Sequence, residues 1–224
     1  MVTSIEHDKQ FPAYTHFAPV LAVPDGNVEA LEGTTVTVRA HTNQPAVAAN
    51  LVFGKDRAHQ ARMTVEGEDN QTLVGKFLVS ESGTYTIQFK TTGGQLNPAP
   101  VVYDITAHKD GNPVARFLRP APSIQAPANA KVGLVMEAAD DFGLKDVTLH
   151  VRQGNDILRP AQNFLEKRPP TRQFRQNDIL DLTAFKVAPG SKIEYWLTVR
   201  DTREPQSNRD ESTHQIIEVQ APAS

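Results

Sequence analysis

The sequence predicts an all-β chain of two tandem antiparallel β-sandwiches, and three observations carry that expectation. Apolar side chains recur with a period of two along many short segments, which places them on one face of half-buried strands. Turns rich in Gly, Asn, Asp and Pro separate those segments at short intervals, the spacing of a sandwich or barrel. The length of 224 residues accommodates two domains of about 100 residues each, and the strand pattern starts afresh after a turn-rich break near residue 110.

Residues 1–11 are polar and are expected to be an N-terminal tail. The first sandwich is expected over 12–109. In 35–41, Val36, Val38 and Ala40 share one face while Thr35, Thr37, Arg39 and His41 share the other. Residues 84–89 alternate in the same way, with Tyr85, Ile87 and Phe89 inward. Further strands are expected at 49–53, 60–65, 73–79 and 101–106, separated by Gly26, Gly33, Pro45, Gly83 and the Gly93-Gly94 turn. The second sandwich is expected over 110–224, behind a join that Pro113 stiffens by fixing φ. Val132, Leu134, Met136 and Ala138 line one strand, Val147, Leu149 and Val151 the next. Ile193, Tyr195, Leu197 and Val199 line a third, and 213–219 close the set. Pro122 and Pro127 bracket an irregular strand suited to a sheet edge, where a missing N–H is tolerated. The segment 159–175 carries Pro160, Pro169 and Pro170 among polar residues and is expected to be a long loop.

Composition excludes several classes of function. A formal net charge of -3, with no long run of Lys and Arg and with Lys167, Arg168, Arg172 and Arg175 as the densest patch, gives no nucleic-acid footprint. No apolar stretch approaches the roughly 20 residues that span a bilayer, so no membrane insertion is expected. The first ten residues lack the apolar core of a signal peptide, and an export signal, if the protein uses one, is expected outside this chain. The absence of cysteine excludes disulfides, iron–sulfur clusters, thiolate zinc sites and cysteine nucleophiles. No nucleophile elbow, phosphate-cradling glycine loop or dinucleotide fingerprint is present. An enzyme is not expected.

Two stretches carry a family resemblance. Met-Glu-Ala-Ala-Asp-Asp-Phe-Gly-Leu-Lys-Asp-Val-Thr-Leu-His-Val, from Met136 to Val151, resembles the strand–turn–strand signature of bacterial immunoglobulin-like repeats. Ile193-Glu194-Tyr195-Trp196-Leu197-Thr198-Val199-Arg200-Asp201 resembles the matching later strand. The first half resembles a partner repeat through Pro12-Ala13-Tyr14-Thr15, Glu32-Gly33-Thr34-Thr35-Val36 and Gly83-Thr84-Tyr85. Such pairs occur in large envelope-associated proteins of planctomycete-like bacteria. The resemblance implies tandem immunoglobulin-like or fibronectin-III-like sandwiches and a non-catalytic spacer or protein-binding role in a larger protein. It also implies an extracytoplasmic setting, in the periplasm or cell envelope. Fold likeness alone leaves the activity open.

Two groups of residues are candidate sites. Trp196, the sole tryptophan, falls outward if Tyr195 and Leu197 point inward, on the face expected to carry His150 and Arg152. An outward indole beside hydrogen-bonding groups can anchor a protein partner or stack on a sugar ring. A carbohydrate-binding or enzyme-accessory module is therefore the alternative function, with Tyr14 and Tyr103 as further platforms. Asp140, Asp141 and Asp201 are candidate calcium ligands, although calcium takes about six to eight oxygens and turn capping is the favoured account of such carboxylates. No other cofactor is expected, and no histidine pair has metal-ligand spacing.

Overall fold

The structure is a computed structural model that describes residues 1–54 and 59–223. The chain divides into two compact units, Met1–Asp110 and Gly111–Ser224, each with its own core.

The first unit contains β1 (Val2–Gln10), β2 (Val20–Val23), β3 (Val28–Leu31), β4 (Thr35–Thr42), β5 (Ala46–Phe53), β6 (His59–Glu66), β7 (Thr72–Leu78), β8 (Gly83–Thr91) and β9 (Val102–His108). Their order is β2-β1-β4-β7-β6-β5-β8-β9-β3. The path folds over at β6, whose first half pairs with β5 and whose last residues, Thr64 to Glu66, pair with β7. All pairings are antiparallel except β3 with β9. Period-2 alternation sends Val36, Val38 and Ala40 inward from β4 and Tyr85, Ile87 and Phe89 inward from β8. Leu51 and Leu73 join them, and Phe53, Phe77, Tyr85 and Tyr103 form one ring cluster at centroid distances of 5.3–6.3 Å.

The second unit contains β10 (Val114–Arg119), β11 (Ser123–Pro127), β12 (Lys131–Gln153), β13 (Asp156–Asn163), β14 (Thr171–Asp181), the single turn α1 (Leu182–Phe185), β15 (Lys192–Asp201), β16 (Arg209–Glu211) and β17 (Gln215–Gln220). β12 belongs to both layers. Its first half pairs with β10 and β14, and its second half pairs with β13 and β15. One layer is therefore β10-β12-β14 and the other is β13-β12-β15-β17-β11, with β11 parallel to β17. The first unit follows the same scheme, with β4 and β5 as separate strands where the second has β12, β1-β4-β7 as one layer and β6-β5-β8-β9-β3 as the other; β2 and β16 have no counterpart in the opposite unit. Two such layers around a shared apolar interior are an immunoglobulin-like sandwich.

The segments read as two strands, around Val132–Ala138 and Val147–Val151, are thus one strand bent through a corner. Asp140 makes the corner: its Oδ2 accepts from the backbone N–H groups of Phe142 (2.9 Å) and Gly143 (2.7 Å). Gly143 has φ +135°, a conformation L side chains rarely adopt. Leu144 is fully buried directly beyond it.

Two expectations are corrected. Residues 1–11 are not a tail, because β1 pairs along its length with β4 and also with β2. A register shift between Val2 and Ser4 breaks its period, and its most buried side chain is the polar His7, 1% exposed. His7 Nδ1 lies 2.7 Å from the Asp25 carbonyl oxygen; only an N–H can bond a carbonyl, so Nδ1 donates. The 159–175 segment is not a long loop either, since both its ends are strand and only 164–170 connects them. β13 and β14 each pair with β12 alone. At such an edge Pro160 is tolerated, next to the register shift between Leu149 and Val151 on the partner strand. β14 fully buries only Phe174 and Leu180 of its eleven residues, so its apolar period is invisible in the sequence.

Candidate functional site

The outward face of the β13-β12-β15-β17-β11 layer gathers the polar residues that alternate with the core. Cross-strand register sets His150 opposite Trp196 and Arg152 opposite Glu194. On the other side of β15, His214 precedes β17, whose Gln215 pairs with Tyr195. Trp196 is consequently flanked from both neighbouring strands. The His150 ring is stacked on it at 4.9 Å and 12°, and the His214 ring at 4.5 Å and 11°. The Arg152 guanidinium lies 4.8 Å from the indole centroid, a cation–π distance.

Carboxylates fix this stack. Glu194 accepts from Arg152 Nε at 2.5 Å and bonds His214 Nδ1 at 2.6 Å. Glu211 bonds His214 Nε2 at 2.6 Å. A carboxylate at each nitrogen favours the imidazolium, because an ionised carboxylate can only accept. Burial alone would pull the His214 pKa down, but Glu211 and Glu194 outweigh it and raise the value. Arg152 and then His214 hold the Glu194 carboxyl below its ordinary value. His150 shifts the other way, lowered chiefly by burial, and its Nε2 meets the Thr198 hydroxyl at 2.9 Å. The indole is therefore clamped between an imidazole that favours neutrality and one that favours charge.

A groove of roughly 320 Å³ opens beside the stack, lined by Trp196, His150, Arg152, Asn155, Ile157 and Arg159 among others. Ile157 is 78% exposed. Of the three residues expected together from the sequence, His150 and Arg152 each lie against Trp196. His214, Glu194 and Glu211 complete the cluster and were not expected. Alternation within 213–219 is compatible with an outward His214, but its apposition to Trp196 depends on the β15–β17 register, which one sequence does not fix. The other aromatic platforms are not available. Tyr14 is buried, and Tyr103 packs on Tyr85 at 5.3 Å.

The acidic candidates serve the backbone. Asp140 and Asp201 both lie at the β12 corner, where Asp201 pairs with Leu144. Asp201 Oδ1 accepts from the N–H groups of Arg203 (3.1 Å) and Asn208 (2.8 Å), as Asp140 Oδ2 does from its own turn. Asp141 is exposed. Burial raises the Asp140 pKa against those two bonds, and the charges of Asp141 and Asp201 raise it further. Among the described residues no group of three or more His, Cys, Asp or Glu is placed to hold a metal ion, and no helix is long and apolar enough to cross a membrane.

No family model and no curated protein matches the sequence. Among solved structures, the chain is similar to fibronectin(III)-like modules of CbhA from Clostridium thermocellum, at 13% identity over 87% of this chain and 89% of that one, with a TM-score of 0.30. It is also similar to a marsupial T cell receptor, at 14% identity over 89% and 73% of the two chains, TM-score 0.35. A DUF4785 family protein from Legionella pneumophila shares 12% identity over 86% and 55%, TM-score 0.30. Scores this low leave the strand order as the ground for the fold.

Proposed function

We propose that the chain is a non-catalytic interaction module: a tandem immunoglobulin-like spacer and protein-binding segment of a larger, envelope-associated bacterial protein. Its binding surface is the outward face of the second sandwich, centred on Trp196, His150 and Arg152. The observation that carries this reading is the clamped, half-buried indole beside an exposed Ile157 and an open groove. Trp and Arg dominate binding energy at protein interfaces when they are held in well-packed surroundings. Immobilising a side chain on binding costs about 0.5–1.5 kcal/mol, and the two stacked imidazoles and the Glu194 bridge have already removed much of Trp196's freedom. The same geometry disfavours a sugar platform, because a pyranose stacks on a ring face and both faces of this indole are covered.

The test is affinity for the principal protein captured by the immobilised chain from its source cells, measured for the wild type, Trp196→Ala and Arg152→Ala. Truncating an interface anchor of this kind costs at least about 2 kcal/mol, roughly thirtyfold in Kd. Affinity unchanged in both variants, or retention by a polysaccharide panel instead of a protein, would sink the proposal.

A further inference from the structure

The second sandwich also has a long free edge. β14 runs for eleven residues, about 36 Å at the usual rise per residue, and pairs with β12 on one side only. Alternate backbone N–H and C=O groups on its other side have no strand partner among the described residues, an arrangement that templates the addition of another strand. Proline, the common guard of an edge, is absent from 171–181 and stops at Pro169 and Pro170.

Charge says what kind of strand would fit. The two acidic residues of β14 are already engaged: Asp178 accepts from Arg159 at 2.6 Å, and Asp181 lies 3.7 Å from Lys131 and caps α1. Its two basic residues, Arg172 and Arg175, are exposed and make no ion pair among the described residues. Lys167 and Arg168 are exposed in the connection just before it, where Glu166 is the only acidic residue. The edge therefore presents Arg172 and Arg175 along an open backbone, the latter in register with Glu137, whose carboxylate is paired with Arg116, with two more cations at its start. The sequence shows this patch only as a cluster too small for nucleic acid; the fold turns it into a line along a sheet edge.

We propose that β14 receives an extended, acidic segment of a protein partner by strand addition. Main-chain hydrogen bonds supply the pairing, and because Arg172 and Arg175 stand three residues apart, on opposite faces of the strand, carboxylates three positions apart in the partner meet both. This surface is built from the other layer of the sandwich and stands whether or not the Trp196 face binds anything.

The experiment uses the full chain and three short peptides: one of Val with Glu at every third position, which puts carboxylates on both faces of the strand, the same peptide with Lys for Glu, and an N-methylated copy of the first that cannot donate main-chain bonds. Amide hydrogen exchange is followed residue by residue. The Glu-Val peptide is expected to bind and to slow exchange of β14 amides, and the other two are not. Reversing Arg172→Glu together with Arg175→Glu is expected to weaken binding about tenfold or more, since like charges replace attractive pairs, and to admit the Lys-Val peptide. Trp196→Ala is expected to change neither result. No binding, equal binding of the N-methylated peptide, or protection at β10 or β13 instead of β14 would each overturn the proposal.

Discussion

Trp196 reports on its own surroundings, because it is the only indole in the chain and both its neighbours titrate. The His214 pKa is raised above its ordinary 6.5 by Glu211 and Glu194 in spite of burial. Its contribution to stability is therefore complete below pH 6.5 and is lost as pH rises through the folded-state value. Protonated imidazole quenches indole emission. Trp196 fluorescence is thus expected to rise with pH through a midpoint above 6.5, and His214→Gln should abolish that step. His150, lowered by burial, should give a separate step below 6.5 that survives His214→Gln. A single midpoint at or below 6.5 would show that the carboxylates do not hold His214 as described. A second pair of residues offers a comparison between the two units. Tyr85 and Tyr195 occupy matching strands, β8 and β15, and are both buried. The Tyr85 hydroxyl donates to the Gly26 carbonyl at 2.6 Å, whereas the buried Tyr195 hydroxyl has no hydrogen-bond partner among the described residues. Tyr85→Phe should cost about 1 kcal/mol, and Tyr195→Phe should be neutral or stabilising. Denaturant unfolding of the two variants separates these outcomes, and equal losses would contradict them.

At the scale of elements, the turn at Asp140 decides whether β12 can serve two layers. Asp140→Ala removes the acceptor of two N–H groups at a buried corner, and such groups cost about 1–3 kcal/mol each when left unmade. The loss should appear as a lower urea midpoint at unchanged slope. Gly26 makes a comparable demand in the first unit, where an added Cβ would lie 2.2 Å from Tyr103 Cδ1. Gly26→Ala should destabilise by about 1–3 kcal/mol through that overlap, and Tyr103→Ala in the same background should recover part of the clash term. The elements themselves were legible wherever one face is buried and the other wet. β4, β8, β12 and β15 all show this alternation. They were illegible where the buried side chain is polar, as with His7 in β1, or where an edge strand contributes few core residues, as with β13 and β14. The Asp140 reversal could be read locally, because the carboxylate and the glycine it serves are three residues apart.

Each unit carries its own hydrophobic cluster, and the members of each cluster among the described residues come from that unit. Residues 111–223 alone should therefore fold, unfold in one cooperative transition and retain the pH response of Trp196; a chain that unfolds without cooperativity would contradict two independent cores. The candidate site was legible to the extent that period-2 alternation put Trp196, His150 and Arg152 outward. What the sequence withheld was long-range register. His214 stands 18 residues beyond Trp196, and only the β15–β17 pairing brings it onto the ring. The same limit hid the sealing of both indole faces, which turns the reading from a sugar platform toward a protein contact. The most direct test of that reading is site-specific photo-crosslinking in the cells that make the protein. A photoreactive residue replaces exposed Ile157 beside the Trp196 stack or, as a control, exposed Val47 in the first unit. A discrete protein adduct from position 157, absent from position 47 and lost with Trp196→Ala, is the predicted result. No adduct at 157, or the same adducts from both positions, would contradict a protein-binding face at Trp196.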